Sequence, residues 1–138
     1  MSNLSQWSPR ALAVLRIVTA LLFVEHATMK FFAFPAGMPG TENGLPPMML
    51  VAGVIELVAG GLVALGLFTR WAALIASGEM AVAYWMAHAP QGFWPALNQG
   101  ELAIMFCFVF LYLVFAGPGA WALDNAMGKQ AAAPVVAE

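Results

Sequence analysis

Residues 46–68 read PPMMLVAGVIELVAGGLVALGLF, an apolar run with a single charge, Glu56, near its middle. A run of roughly 20 mainly apolar residues is long enough to cross the hydrocarbon core of a bilayer as a helix. Pro46-Pro47 opens the run, and Gly66 and the polar pair Thr69-Arg70 close it. Proline near the start and glycine past the end are helix boundary signals. A lone carboxylate at such depth is costly, so it normally faces a partner, a cavity or a bound molecule.

Working outward, three further runs share this character. They cover about 9–34, 71–89 and 98–116, and each carries a carboxylate: Glu25, Glu79 and Glu101. Ser8 before Pro9 suits a cap on the first. The stretches Phe34 to Gly40, Pro90 to Pro95 and Gly117-Pro118-Gly119 break the runs. Of the 138 residues, 62% are hydrophobic and 9% charged, whereas a soluble domain is about a quarter charged. The fold class expected is all-α: an integral membrane four-helix transmembrane bundle. Residues 1–8 read as an N-terminal cytoplasmic segment, 9–124 as the membrane domain and 125–138 as a disordered tail. A cleaved signal peptide fits the basic flank of the first run, but not its length or its internal Glu25-His26.

The formal charge of −2, with no basic patch, argues against a nucleic-acid partner. One cysteine, Cys107, excludes an internal disulfide framework and reads as a core residue. His26 and His88 lie at different depths, and the ExxH pattern of di-iron bundles is absent, so no metal site is expected. Trp71, Trp85, Trp94 and Trp121 fall near run ends, as interfacial anchors would. No internal repeat is visible.

At about 1.5 Å of rise per residue, Glu25, Glu56 and Glu79 lie roughly 12–17 Å from the outer helix ends. His26 is about 10 Å deep, and Lys30, His88 and Glu101 are within about 6 Å. Apart from Arg16, the inner half is nearly uncharged, so the polar groups form a funnel opening outward. Residues three and four apart share a helix face. Glu56 thus lies with Ala52, Gly53, Ala59 and Gly60, and Glu79 with Ala72, Ala76 and Ala83. Small residues mark close helix approach in membranes, so both carboxylates point between helices. Thr19, His26 and Lys30 form another stripe. Glu101 aligns with Asn98, Met105, Phe108 and Tyr112. His88 aligns with Tyr84, almost opposite Glu79 on an ideal helix. Plainer readings stand beside these: Lys30 snorkelling to headgroups, His88 and Glu101 serving helix ends, and Glu56 or Glu79 protonated as structural donors.

These segments resemble the DoxX family of small four-helix membrane proteins. The resemblance rests on Leu15-Arg16, His26 to Phe32, Gly53 to Glu56 with Gly60-Gly61, and Gly66 to Arg70. It continues through His88 to Phe93, Asn98 to Glu101, Ala116 to Gly119 and Leu123-Asp124. Ala27 stands where the family usually has glycine, and Glu25 is a local departure. The resemblance implies a redox-associated component of the bacterial inner (plasma) membrane. It implies quinone as a candidate cofactor and a redox partner protein or homo-oligomer as company in the bilayer.

His26, Lys30, Glu56 and Glu101 are the candidate ligand-binding residues, lining one outward-opening pocket for a quinone-like head group. Glu79, Tyr84 and His88 are candidates for a proton relay or the pocket wall. No catalytic residue is assigned, and no electron carrier is visible, so catalysis would need a partner subunit. A small-solute or proton transporter and a purely structural subunit remain the alternatives. Arg10, Arg16, Arg70 and Lys129 collect on one side of four spans, which places both termini inside. Cysteine scanning should therefore label the Glu42 loop from outside and position 70 from inside; the reverse pattern overturns this orientation.

Overall fold

A computed structural model describes residues 4–131, and among them all regular structure is helical. Helix α1 spans Ser8–Phe32, after a single 3-10 turn at Ser5–Trp7. Pro9 sits in its first turn, where an amide would have no helical acceptor. Ser8, expected as the cap, is instead the first helical residue; Trp7 holds the cap position and makes no side-chain cap bond. Ala33 ends the helix in the left-handed region at φ 51°. The Thr28 hydroxyl lies 2.8 Å from the carbonyls of both Glu25 and Phe34 there and shares its one hydrogen between them.

Helix α2 spans Pro47–Leu65. It ends in a Schellman motif, with the Gly66 amide on the Val63 carbonyl at 3.0 Å and the Leu67 amide on the Leu62 carbonyl at 2.9 Å. Glycine is needed at 66 twice over. Its φ is 68°, and a Cβ there would lie 2.5 Å from Ala122 Cβ and 2.8 Å from Arg16 Nη1.

Helix α3 spans Thr69–Ala83 and passes into a π-helical turn at Tyr84–His88 and a 3-10 turn at Ala89–Gln91. Short α4, Pro95–Asn98, precedes α5, Glu101–Ala116. The expected start at residue 98 is therefore corrected. Asn98 is buried as the last residue of α4, Gln99 turns left-handed at φ 60°, and α5 begins after Gly100. The tail expectation also changes. Residues 123–131 form helix α6 (Leu123–Ala131), opened by Asp124, whose negative charge suits a helix start. The Asp124 amide is held by the Gly66 carbonyl at 2.8 Å. Residues 132–138 lie outside the described ones.

Along the chain α1 packs on α2, α2 on α3, and α3 on α5, while α1 and α5 touch sparingly. The shared core includes Phe23, Val63, Ala72, Ala76, Phe106 and Phe110. Its centre is an aromatic layer: Phe23 meets Phe110 edge-on at 4.8 Å between centroids and Phe106 at 5.5 Å. The outer surface is apolar too, with Leu21, Leu22, Val54, Val58, Phe108 and Phe115 exposed. The segments Ser5–Phe32 and Pro47–Leu65 are long and apolar enough to cross a membrane; α5 is apolar but has 16 residues.

One end is fastened by Arg16, which is fully buried. Its Nε donates to Pro118 O at 2.8 Å, and Nη1 donates to Val63 O and Ala64 O, each at 2.7 Å. Nη2 donates to Ala120 O at 3.2 Å and Trp121 O at 3.0 Å. All five guanidinium hydrogens are thus used. They satisfy the last carbonyls of α2 and the loop after α5. Asp124 completes the knot by accepting from the Phe68 amide at 2.7 Å, the Thr69 amide at 3.0 Å and the Thr69 hydroxyl at 2.7 Å. Burial pushes its carboxyl up, but the Thr69 and Phe68 bonds and the Arg16 charge prevail and hold it below the usual range. Arg70 caps the end of α5 through the carbonyls of Val114 and Phe115.

Lysine at position 16 would keep the charge but supply three donors in place of five. Losing two charge-assisted bonds, at about 1.5–3 kcal/mol each, should cost Arg16→Lys about 3 kcal/mol or more. Reversible unfolding in mixed micelles measures this. A variant as stable as the parent would show that the clamp is dispensable.

Candidate functional site

Lys30 lies in the last turns of α1, and Glu56 in the middle of α2. Gly53, one turn before Glu56, lets the two helices close: a Cβ there would lie 2.8 Å from the Phe31 ring and 3.3 Å from Lys30 Cδ. Along this seam the Lys30 ammonium reaches Glu56, donating to Oε1 and Oε2 at 2.6 Å each. The two side chains are only 6% and 4% exposed, so the pair is sealed, not open to the outside as the funnel reading expected. An ion pair this buried persists because geometry and charge compensate for desolvation.

Glu79 of α3 completes the group. Both of its carboxyl oxygens are buried and have no hydrogen-bond partner among the described residues. Glu56 and Lys30 are the charges that act on it. The small-residue faces behave as expected around these acids, since Gly53, Ala59, Gly60, Ala72 and Ala76 are all buried.

The other candidates are distributed differently. The His26 ring nitrogen Nδ1 lies 2.9 Å from Leu22 O, and the ring stands edge-on to Phe106 at 5.8 Å. Because a carbonyl only accepts, Nδ1 carries the proton and Nε2 remains to accept or bind. Glu101 is exposed in the first turn of α5 and forms no ion pair among the described residues. Glu25 is exposed on α1. His88 Nδ1 lies 3.0 Å from Asn98 O, and its ring stacks on Tyr84 at 6.4 Å. Asn98, which is buried, donates to Gly92 O at 2.7 Å and accepts from the Gly100 amide at 2.8 Å. Tyr84, His88 and Asn98 thus build a small polar lattice at the end of α3. Ideal-helix phasing between Glu79 and His88 fails, because the π turn intervenes and each of its residues turns less.

Two grooves mark the surface. One, of about 380 Å³, is lined by aromatic Tyr84, Trp85, Phe93 and Trp94 with Pro95 and Ile104. The other, of about 290 Å³, runs between α2 and α3 and includes Val58, Leu62, Trp71 and Ile75. Neither contains Lys30 or Glu56. Tyr84 lies five residues past Glu79, about 7.5 Å along the helix axis.

The family model for DoxX matches residues 11–89, which carry Arg16, Lys30, Glu56, Glu79 and His88. The chain belongs to the DoxX family. The ion pair and Glu79 lie within the matched segment, and Asn98 and Glu101 lie beyond it. An uncharacterized protein of Haemophilus influenzae is 52% identical over 134 residues, covering 94% of this chain and 100% of its own. An uncharacterized membrane protein of Mycobacterium tuberculosis is 29% identical, covering 91% of this chain and 86% of its own. No solved structure matches. With its apolar helices and apolar exterior, this DoxX chain is a membrane protein.

Removing one partner of a sealed pair leaves a buried charge, at a cost of about 3–5 kcal/mol, whereas removing both is often close to neutral. Glu56→Ala should therefore lose stability on that scale, and Glu56→Gln should fold better than Glu56→Lys. The double variant Lys30→Met/Glu56→Leu should recover most of the loss. If unfolding in micelles shows the double variant costing the sum of the single ones, the pair is not acting as a unit.

Proposed function

We propose that this DoxX protein is a redox-associated accessory component of the bacterial inner membrane, working at a site built from Lys30, Glu56 and Glu79. In this reading α1, α2, α3 with its continuation, and α5 cross the bilayer as a four-helix bundle. Both termini are cytoplasmic, and the triad lies in the outer half. The ligand is a quinone or similar amphiphile.

The observation that carries the reading is the triad's chemistry. A sealed cation and anion stand beside a carboxyl whose two oxygens have unused hydrogen-bonding capacity. All three sit on helices whose outer surfaces are apolar. Quinone oxygens need a donor and a proton-exchanging acid, and quinone tails need apolar surface. Lys30 is the donor to a quinone oxygen, and a carboxyl exchanges the proton. The aromatic groove at Tyr84 and Trp85 offers ring surface one to two turns from Glu79. His26, with Nε2 unoccupied by its known bond, stands on the α1 side and can accept from a hydroquinone. Electrons would come from a partner redox protein.

Decylubiquinone added to the full chain in lipid nanodiscs tests this through quenching of tryptophan fluorescence, since Trp85 and Trp94 line the groove. Saturable quenching is expected. Lys30→Met should weaken it about ten-fold or more, the equivalent of one charge-assisted hydrogen bond at about 1.5–3 kcal/mol. Glu25→Gln should leave it unchanged. Quenching that never saturates, or that ignores position 30, counts against a quinone site here.

A further inference from the structure

We propose that Glu79 is a proton-binding site and that Lys30 takes up the charge when that proton leaves. The inference goes beyond the quinone reading and needs no quinone. It starts from an imbalance in the triad. A carboxylate can accept several hydrogen bonds, yet neither oxygen of Glu79 has a partner among the described residues, and both are buried. An ionised carboxylate left in that state would be unsolvated and unpaired, which a low-dielectric surround strongly opposes. Carrying a proton, Glu79 is neutral, and the triad sums to zero: one positive charge on Lys30 and one negative on Glu56.

The route by which the proton can leave is written in the ammonium. Lys30 has three N–H donors, and two lie on Glu56 Oε1 and Oε2. The third is free to turn toward an acceptor. When the Glu79 O–H bond breaks, the electron pair stays on oxygen and the proton passes to water or another base. The new carboxylate then offers that acceptor, and Lys30 bridges Glu56 and Glu79.

Among the described residues, Lys30 is the cation that acts on Glu79. The neighbouring elements supply Glu56 from α2 and Lys30 from α1 as the charges acting on Glu79. On α5, Cys107 is engaged by Ser77, its carbonyl accepting from the Ser77 hydroxyl at 2.9 Å, and Glu101 is exposed. Beyond Glu79 on its own helix, Tyr84 and His88 are stacked on each other, and His88 is held by Asn98 O. They form the polar surface closest in sequence to the site.

Infrared difference spectroscopy of the full chain in nanodiscs reads the proton directly. The parent should show the C=O stretch of a protonated buried carboxyl at neutral pH, lost reversibly on alkalinisation. Glu79→Gln, which mimics the loaded form in shape and charge, should fold and lack that band, and Glu25→Gln should keep it. The double variant Lys30→Met/Glu56→Gln leaves no orphan charge but removes the cation. Its band should persist to higher pH than the band of Glu56→Gln, which keeps the cation and differs from it only at position 30. Absence of the band in the parent at neutral pH overturns the proposal, as does its survival in Glu79→Gln. A double variant that loses the band over the same pH range as Glu56→Gln overturns the part given to Lys30. Should Glu79→Gln fail to fold, carboxyl-carbon NMR of the parent gives the same answer: a glutamate resonance still protonated at neutral pH supports it, and none refutes it.

Discussion

A guanidinium with five carbonyl acceptors organises this molecule. In an apolar surround a carbonyl left without a donor is expensive, and helix ends leave such carbonyls by construction. Arg16 collects two from the end of α2 and three from the loop after α5. It thereby fixes the start of α1, the end of α2 and the chain's exit from α5 in one place. Asp124 extends the same fastening to the start of α3. With that end fixed, the close approach of α1 and α2 at Gly60 and Gly53 brings Lys30 onto Glu56. The ion pair is thus set by a constraint at the far end of the helices.

The two polar centres are built on opposite principles. Around Arg16 every donor has an acceptor, and the Asp124 oxygens are used by amides and a hydroxyl. Such a network is rigid and specifies one packing. Around Lys30 hydrogen bonding is incomplete, since Glu79 has no partner among the described residues. Incomplete satisfaction in a native protein calls for an explanation, and function is a frequent one. Each centre sits where the other is absent, which separates fastening from chemistry within a small chain.

Much of this was legible in the sequence. The apolar runs and their Pro and Gly punctuation gave helices near the right places. Small residues three and four positions from Glu56 and Glu79 predicted that both would point inward, as they do. Other features were hidden for physical reasons. Arg16 looked like a flanking charge of the kind that orients a helix; its carbonyl partners lie 47 to 105 residues away, beyond any local pattern. The segments Leu15-Arg16 and Leu123-Asp124 were both noticed, but only the fold shows them to be parts of one knot. The π turn at Tyr84–His88 has no periodic signature, and it undermined helical phasing past Ala83. Asn98, aligned in sequence with Glu101, belongs to the preceding turn because Gln99 reverses the backbone. Gly53 was read as a small-residue marker, whereas its specific effect is to admit Phe31 and seal the pair.

The aromatic layer of Phe23, Phe106 and Phe110 lies seven residues, or about 10 Å, inward of Lys30 along α1. Phe106 and Phe110 stack on each other while Phe23 meets them tilted and edge-on, so this layer of the interior carries no polar side-chain atom of its own. Moving one elementary charge across a whole bilayer at 100 mV involves about 2.3 kcal/mol. In the proposed four-span topology, a charge that reaches Lys30 and Glu56 from their own end crosses the part of that field lying ahead of the rings, and any passage beyond the rings crosses the rest.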